Sequence, residues 1–165
     1  MSYPRFLLVV AVFVVTLGAI PLTMSSQEIL TTKVMSLDLA HGIAMAALQE
    51  CRSHGYHVVV IVVDTNANIR VMLRDDGTGP RTVDTTRRKA YTALSFRGTS
   101  REQAKIWETQ KNPNITADMV ALAGGVAIKA GDDLLGAIGV SGAPGSDKDE
   151  PCALAGVAKY ADKLK

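Results

Sequence analysis

The chain is short of the residues on which most ligand and metal chemistry depends. Of its 165 residues two are cysteine and three are histidine, and aromatic side chains make up 5%. It has no CxxC pair and no HExxH helix, so the usual zinc signatures are missing. It also lacks a P-loop and a GxSxG elbow, which removes the common signatures of phosphate cradling and serine hydrolysis. The formal charge is only +2. A nucleic-acid binder would show a basic face with stacking aromatics, and neither is visible, so nucleic acid is not expected as a partner. No repeat or low-complexity tract interrupts the chain. What remains is a 47% apolar, 21% charged sequence, long enough for one domain with a proper core.

The amino end differs from the rest. Arg5 precedes an uncharged apolar run from Phe6 to Ile20, followed by Pro21 and then Thr23-Met24-Ser25, a small-x-small exit. This pattern predicts a secretory signal peptide over residues 1–25. The run falls short of the roughly 20 residues that a membrane span needs, and an uncleaved anchor is the alternative. With no cysteine near the cut, a lipid anchor is not expected. Residues 26–165 would then form the working domain in an extracytoplasmic compartment, periplasmic or secreted. An oxidising compartment permits a bridge between Cys51 and Cys152. The other reading makes both cysteines small buried apolar residues on helix faces.

The spacing predicts a helix from Leu37 to Ser53. Ser36 caps it, Asp38 sits in its first turn and Gly55 follows its last. Leu39, Ile43, Ala46, Ala47 and Cys51 give an apolar stripe that Ala44, Met45 and Leu48 widen. Val58 to Val63 is a β-branched run suited to a strand covered on both faces, and Ile69 to Arg74 returns antiparallel after a short turn. A helix from Thr82, its expected cap, to Ser95 places Ala90, Ala93 and Leu94 inward. Thr99 with Glu102 makes a capping box for a helix from Ser100 to about Gln110, and Asn112-Pro113-Asn114 breaks it. A second hairpin runs from Gly124 through Gly131 to Val140. Gly136 and Gly139 leave little side chain there, which implies close packing by a backbone or a ligand. Asp147 is expected to cap a last helix with Pro151 in its first turn. Paired antiparallel strands and flanking helices make this a single-domain α+β fold, not a doubly wound parallel sheet.

Two glycine-rich stretches have backbone donors for an anion: Gly124-Gly125, and Ser141 to Gly145 beside the last helix. Against this, Asp147, Asp149 and Glu150 at that helix start would repel an anion, and the glycines also serve as ordinary turns. Ser141 has no base partner in view, so nothing supports a serine nucleophile. His54 and His57 lack further ligands nearby and do not make a metal site.

The segments IVVDTNANIRVMLRDDG, RRKAYTALSF, GGVAIKAG and DDLLGAIGVSGAPGSDKDEPCALAGV occur in this order, with LDLAHGIAMAALQEC ahead of them. Together they resemble the GlcG/HbpS-like haem-binding protein family over almost everything after the leader. One departure is Asn66-Ala67-Asn68, which stands where the family has a glycine turn; asparagine tolerates the left-handed geometry. The resemblance implies an antiparallel sheet flanked by helices (a profilin-like or GlcG-like layer), assembly as a homo-oligomer, and haem binding or handling. On it rests the expectation that His41 ligates haem iron, with Ala44, Met45 and Leu48 covering the porphyrin edge. Arg74, Lys89 or Arg87 would pair with propionates, although Arg74 and Lys89 equally suit salt bridges to Asp64, Asp75 or Asp76. One alternative is an enzyme that degrades haem, or acts on a small carboxylate or corrinoid-related ligand, at a pocket of Gly124, Gly125 and Ser141. Another is a partner that presents its ligand to a membrane receptor.

Overall fold

The computed structural model describes residues 31–111 and 113–165, whose compact unit runs from Thr32 to Lys165. The expected leader over residues 1–25 lies outside the described residues, as does Asn112. Along the chain come α1 (Leu37–Ser53), β1 (Val59–Val63), β2 (Ile69–Arg74), α2 (Thr82–Phe96), α3 (Ser100–Thr109), β3 (Gly125–Ala130), β4 (Asp133–Ser141) and α4 (Ser146–Ala158). A short 3-10 turn over Ala161–Lys163 closes the chain. The four strands form one antiparallel sheet in the order β2-β1-β4-β3.

The β1 run is buried at all five positions because helices cover both faces of the sheet. Val58, Val60 and Val62 point to one side, where Ile128, Ile138 and Val140 join Ile43, Ala47 and Leu48 of α1 and Ala153 of α4. Val59, Ile61 and Val63 point to the other, against Ala90, Ala93 and Leu94 of α2. Alternation by strand period sorts the solid valine run into two cores. Edge strand β2 is covered less, leaving Ile69 and Met72 each 49% exposed.

The helix ends show which local signals held. Ser36 accepts from Leu39 N–H at 3.2 Å, and the Thr99–Glu102 capping box is complete. Thr82 is instead the first residue of α2 and caps nothing, since Arg81 occupies the cap position with helical backbone. Asp147 likewise lies inside α4, which begins from Gly145 without a side-chain cap. Pro151 therefore falls in the second turn, not the first. The carbonyl of Asp147, which a residue with an N–H would have engaged there, accepts from Arg101 Nη2 at 3.2 Å. In the β1–β2 turn the left-handed residue is Ala67, with φ of 64°, not either asparagine. Asp64 holds that turn by accepting from the N–H groups of Asn66 and Asn68, both at 2.9 Å.

Cys51 and Cys152 form a disulfide across a separation of 101 residues. It ties α1 to α4 beside the close contact between Gly156 and the backbone of Ile43 and Ala47. Closing a loop of that length stabilises a fold by about 4–5 kcal/mol in the chain-entropy model. A Cys51→Ala/Cys152→Ala variant should therefore unfold on the order of 10 °C lower in a thermal melt. An unchanged midpoint would show that the bridge does not constrain the chain.

Candidate functional site

In the sheet, Gly125 of β3 pairs directly with Gly139 of β4. A Cβ at Gly139 would strike the carbonyl of Thr86, and one at Gly125 would strike the carbonyl of Lys89. The cross-strand glycine pair thus clears a flat patch on which the backbone of α2 rests. This close approach brings the Lys89 side chain, 1% exposed, to the end of β4. There its ammonium donates to Val140 O at 3.0 Å and to Asp149 Oδ2 at 2.7 Å. Asp149 Oδ1 in turn accepts from Ala143 N–H at 2.9 Å. Burial works against both charges, lowering the Lys89 pKa and raising that of Asp149. The short pair and its backbone partners hold both ions in place. Gly124 completes the enclosure, because a Cβ there would come within 3.0 Å of Lys89 Nζ and 2.9 Å of Asp149 Cβ.

Above this pair opens a cavity of about 440 Å³. Its lining comes from the Gly79–Thr85 segment on one side and from Ser141 to Ser146 on the other. A second cavity, of about 280 Å³, shares Gly79, Thr82 and Gly142 with it and adds Tyr56 and His57. The carboxylate neighbour of His57 is Asp75: His57 Nδ1 lies 3.4 Å from Asp75 Oδ2, and Arg52 grips Asp75 through Nε at 3.0 Å and Nη2 at 2.6 Å. Asp75 is nearly fully buried, so this fork carries weight. The hydrogen bond from Arg52 holds its pKa down to about 2 against burial that pushes it up, with Asp76 N–H and His57 assisting.

The expected site residues divide into separate places. Lys89 and Ser141 line the cavity, whereas Gly124 and Gly125 do not: Gly124 packs behind the ion pair, and the Gly125 N–H is taken by Ser100 Oγ at 2.8 Å. Lys89 pairs with Asp149 and not with Asp64, Asp75 or Asp76. Among the described residues Arg74 meets no carboxylate and does not line the cavity: its guanidinium holds the hydroxyl and carbonyl of Thr78, both at 2.9 Å. Arg87 is engaged by Asp118 at 2.9 Å. His41 is exposed on the outer side of α1 beside half-buried Met45, whereas Ala44 and Leu48 turn into the core and are not placed to cover a porphyrin. Sequence reasoning missed Asp149 as the partner of Lys89, across 60 residues. A lysine inside an otherwise apolar and small helix face, Lys89 with Ala90 and Ala93, was the signal available.

A family model for HbpS-like haem degrading proteins matches residues 35–158. The chain belongs to the HbpS-like family. Streptomyces reticuli HbpS, solved as a double mutant, is 37% identical with a TM-score of 0.77, over 86% of this chain and 97% of that one. Klebsiella pneumoniae protein ORFY has a TM-score of 0.75 at 20% identity, over 82% of this chain and 97% of that one. A haem complex of PduOC has a TM-score of 0.68 at 22% identity, over 76% and 94%. The last two establish the shared fold alone. No curated protein sequence matches the chain. HbpS-like membership supports haem handling and accounts for the α+β layer with its antiparallel sheet.

Two measurements check the electrostatics. Lys89→Met strands a buried carboxylate and should cost about 3–5 kcal/mol in urea unfolding, with Asp149→Leu in the same chain recovering part of the loss. Equal losses in the single and double variants would show that packing, not charge, dominates. For Asp75, the folded pKa of about 2 lies below the ordinary value. Its contribution is therefore present above about pH 4 and lost as pH falls toward 2. Asp75→Asn should flatten the acid limb of the stability curve in that window.

Proposed function

We propose that the protein is an extracytoplasmic haem-binding protein that stores, senses or passes on haem, with His41 as the iron ligand. The observation that carries this reading is a line of side chains on α1. Leu37, His41 and Met45 recur every four residues, so they stack along one side of the helix. Leu37 is 57% exposed, Met45 is half-buried, and His41 is exposed with no hydrogen-bond partner among the described residues. An apolar strip with a free imidazole at its centre suits a flat apolar macrocycle with iron, and imidazole is a common haem ligand. Val34, 72% exposed just before the helix, extends the apolar surface. When bound, haem supplies a redox-active iron; the chain supplies the imidazole and the apolar strip. Arg74, Lys89 and Arg87 are engaged elsewhere, so propionates would have to meet solvent or other groups.

Two further parts of the proposal have their own support. The Cys51–Cys152 bridge favours a compartment where thiols are not kept reduced, as does the leader pattern. The half-exposed Ile69 and Met72 on edge strand β2 favour assembly with further copies of the chain. A second reading, enzymatic degradation of haem, is favoured by the description of the family as haem degrading. No observation on the chain singles out a membrane receptor as partner.

Haemin titration of the mature protein should give a saturable, shifted Soret band, and His41→Ala should abolish the shift. A variant that keeps the parent spectrum would remove His41 from the iron. Loss of the bound Soret band on adding reductant or peroxide would move the assignment from binding to degradation.

A further inference from the structure

The cavity over the Lys89–Asp149 pair lies away from the His41 strip in the element order and is built differently. Ser141 and Thr82 are each only 8% exposed, and both line it. Neither hydroxyl has a hydrogen-bond partner among the described residues. Neither oxygen is sealed from solvent, so both hydroxyls face the open space of the cavity and are available to a ligand. Ser146 adds a third hydroxyl from the start of α4. Gly145 stands at the cap position of that helix without a side chain to satisfy the first-turn N–H groups. The Lys148 N–H turns back to Gly145 O at 3.0 Å, and the N–H groups of Ser146 and Asp147 stand at the positive end of the helix, beside the cavity, with no partner among the described residues.

Charge agrees with this chemistry. The cavity is lined by two cations, Arg81 and Lys89, and one anion, Asp149, which leaves one net positive charge. Asp149 is already answered by Lys89 and by Ala143 N–H. Glu150 Oε1 is answered by Arg101 at 2.9 Å, its buried Oε2 has no partner among the described residues, and Glu150 does not line the cavity. Asp147, the remaining acid of that turn, is not among the lining residues. Arg81 is exposed at the rim and pairs with no carboxylate among the described residues, so its guanidinium is free to close on an anion. The volume of about 440 Å³ lies within the range of small-molecule sites.

We infer that this cavity binds a small hydroxylated oxyanion with one negative charge, its carboxylate or phosphate group meeting Arg81 and the first turn of α4 while Ser141 and Thr82 bind its hydroxyls. The site is independent of haem.

The test is a thermal-shift and calorimetric titration of the full chain with sodium lactate and with inorganic phosphate, at constant ionic strength. Glycerol and ethanolamine serve as neutral and cationic controls. At least one anion should raise the melting midpoint saturably, the controls should not, and the anion that responds assigns the head group. Arg81→Gln should weaken that binding by about tenfold or more, the scale of one charge-assisted contact. This residue is exposed and unpaired, so the variant keeps the fold. Ser141→Ala should weaken binding by a smaller factor, whereas His41→Ala should leave it unchanged. Absence of saturable binding by both anions, or equal binding in wild type and Arg81→Gln, would overturn the inference. Loss of anion binding in His41→Ala would also overturn it, by merging the two sites.

Discussion

The close seating of α2 on the cross-strand glycine pair is the constraint on which the rest depends. Side chains at Gly125 or Gly139 would lift the helix from the sheet, because its backbone occupies the space they would need. With the helix seated, Lys89 reaches across the end of β4 and meets Asp149 on α4. One buried ion pair therefore joins the helix on one face of the sheet to a helix on the other. The disulfide between α1 and α4 completes a closed circuit of contacts around the layer. A buried pair of this kind adds little net stability over an apolar alternative, yet breaking one side is costly. Its consequence is positional: it fixes the loop from Ser141 to Gly145, and with it the wall of the cavity.

Much of the fold was legible because each element carried a local signal that agreed with its tertiary surroundings. The α1 boundaries, the β2 boundaries and the capping box at Thr99 all match expectation. Errors arose where a polar residue had a stronger claim elsewhere. Thr82 looks like a cap, but it is buried against the cavity as the first residue of α2. Asp147 looks like a cap, but the chain enters α4 through Gly145 and leaves that end open. The turn at Ala67 shows the same competition: Asp64 bonds the two flanking asparagine amides and forces the left-handed conformation onto the residue between them.

The candidate site was only half legible, for a physical reason. Glycine positions report close approach without saying what approaches, and here it is helix backbone at Gly125 and Gly139 but the Val140 carbonyl and the ion pair at Gly124. The partners of Lys89 and Asp75 lie 60 and 23 residues away, which no local pattern can rank. On α1 the family resemblance supplied His41 and Met45, whereas the exposed Leu37 in line with them was not singled out. What spacing could not provide was that Ala44 and Leu48 are consumed by the core.

The haem proposed for the outer side of α1 and the anion proposed for the cavity at the start of α4 would occupy different places on the chain. Amide chemical-shift mapping with a diamagnetic zinc porphyrin tests that division most directly. Shifts should concentrate between Ser36 and Met45, leaving Gly142 to Ser146 unmoved. Shifts centred on the cavity loop, with α1 silent, would contradict it.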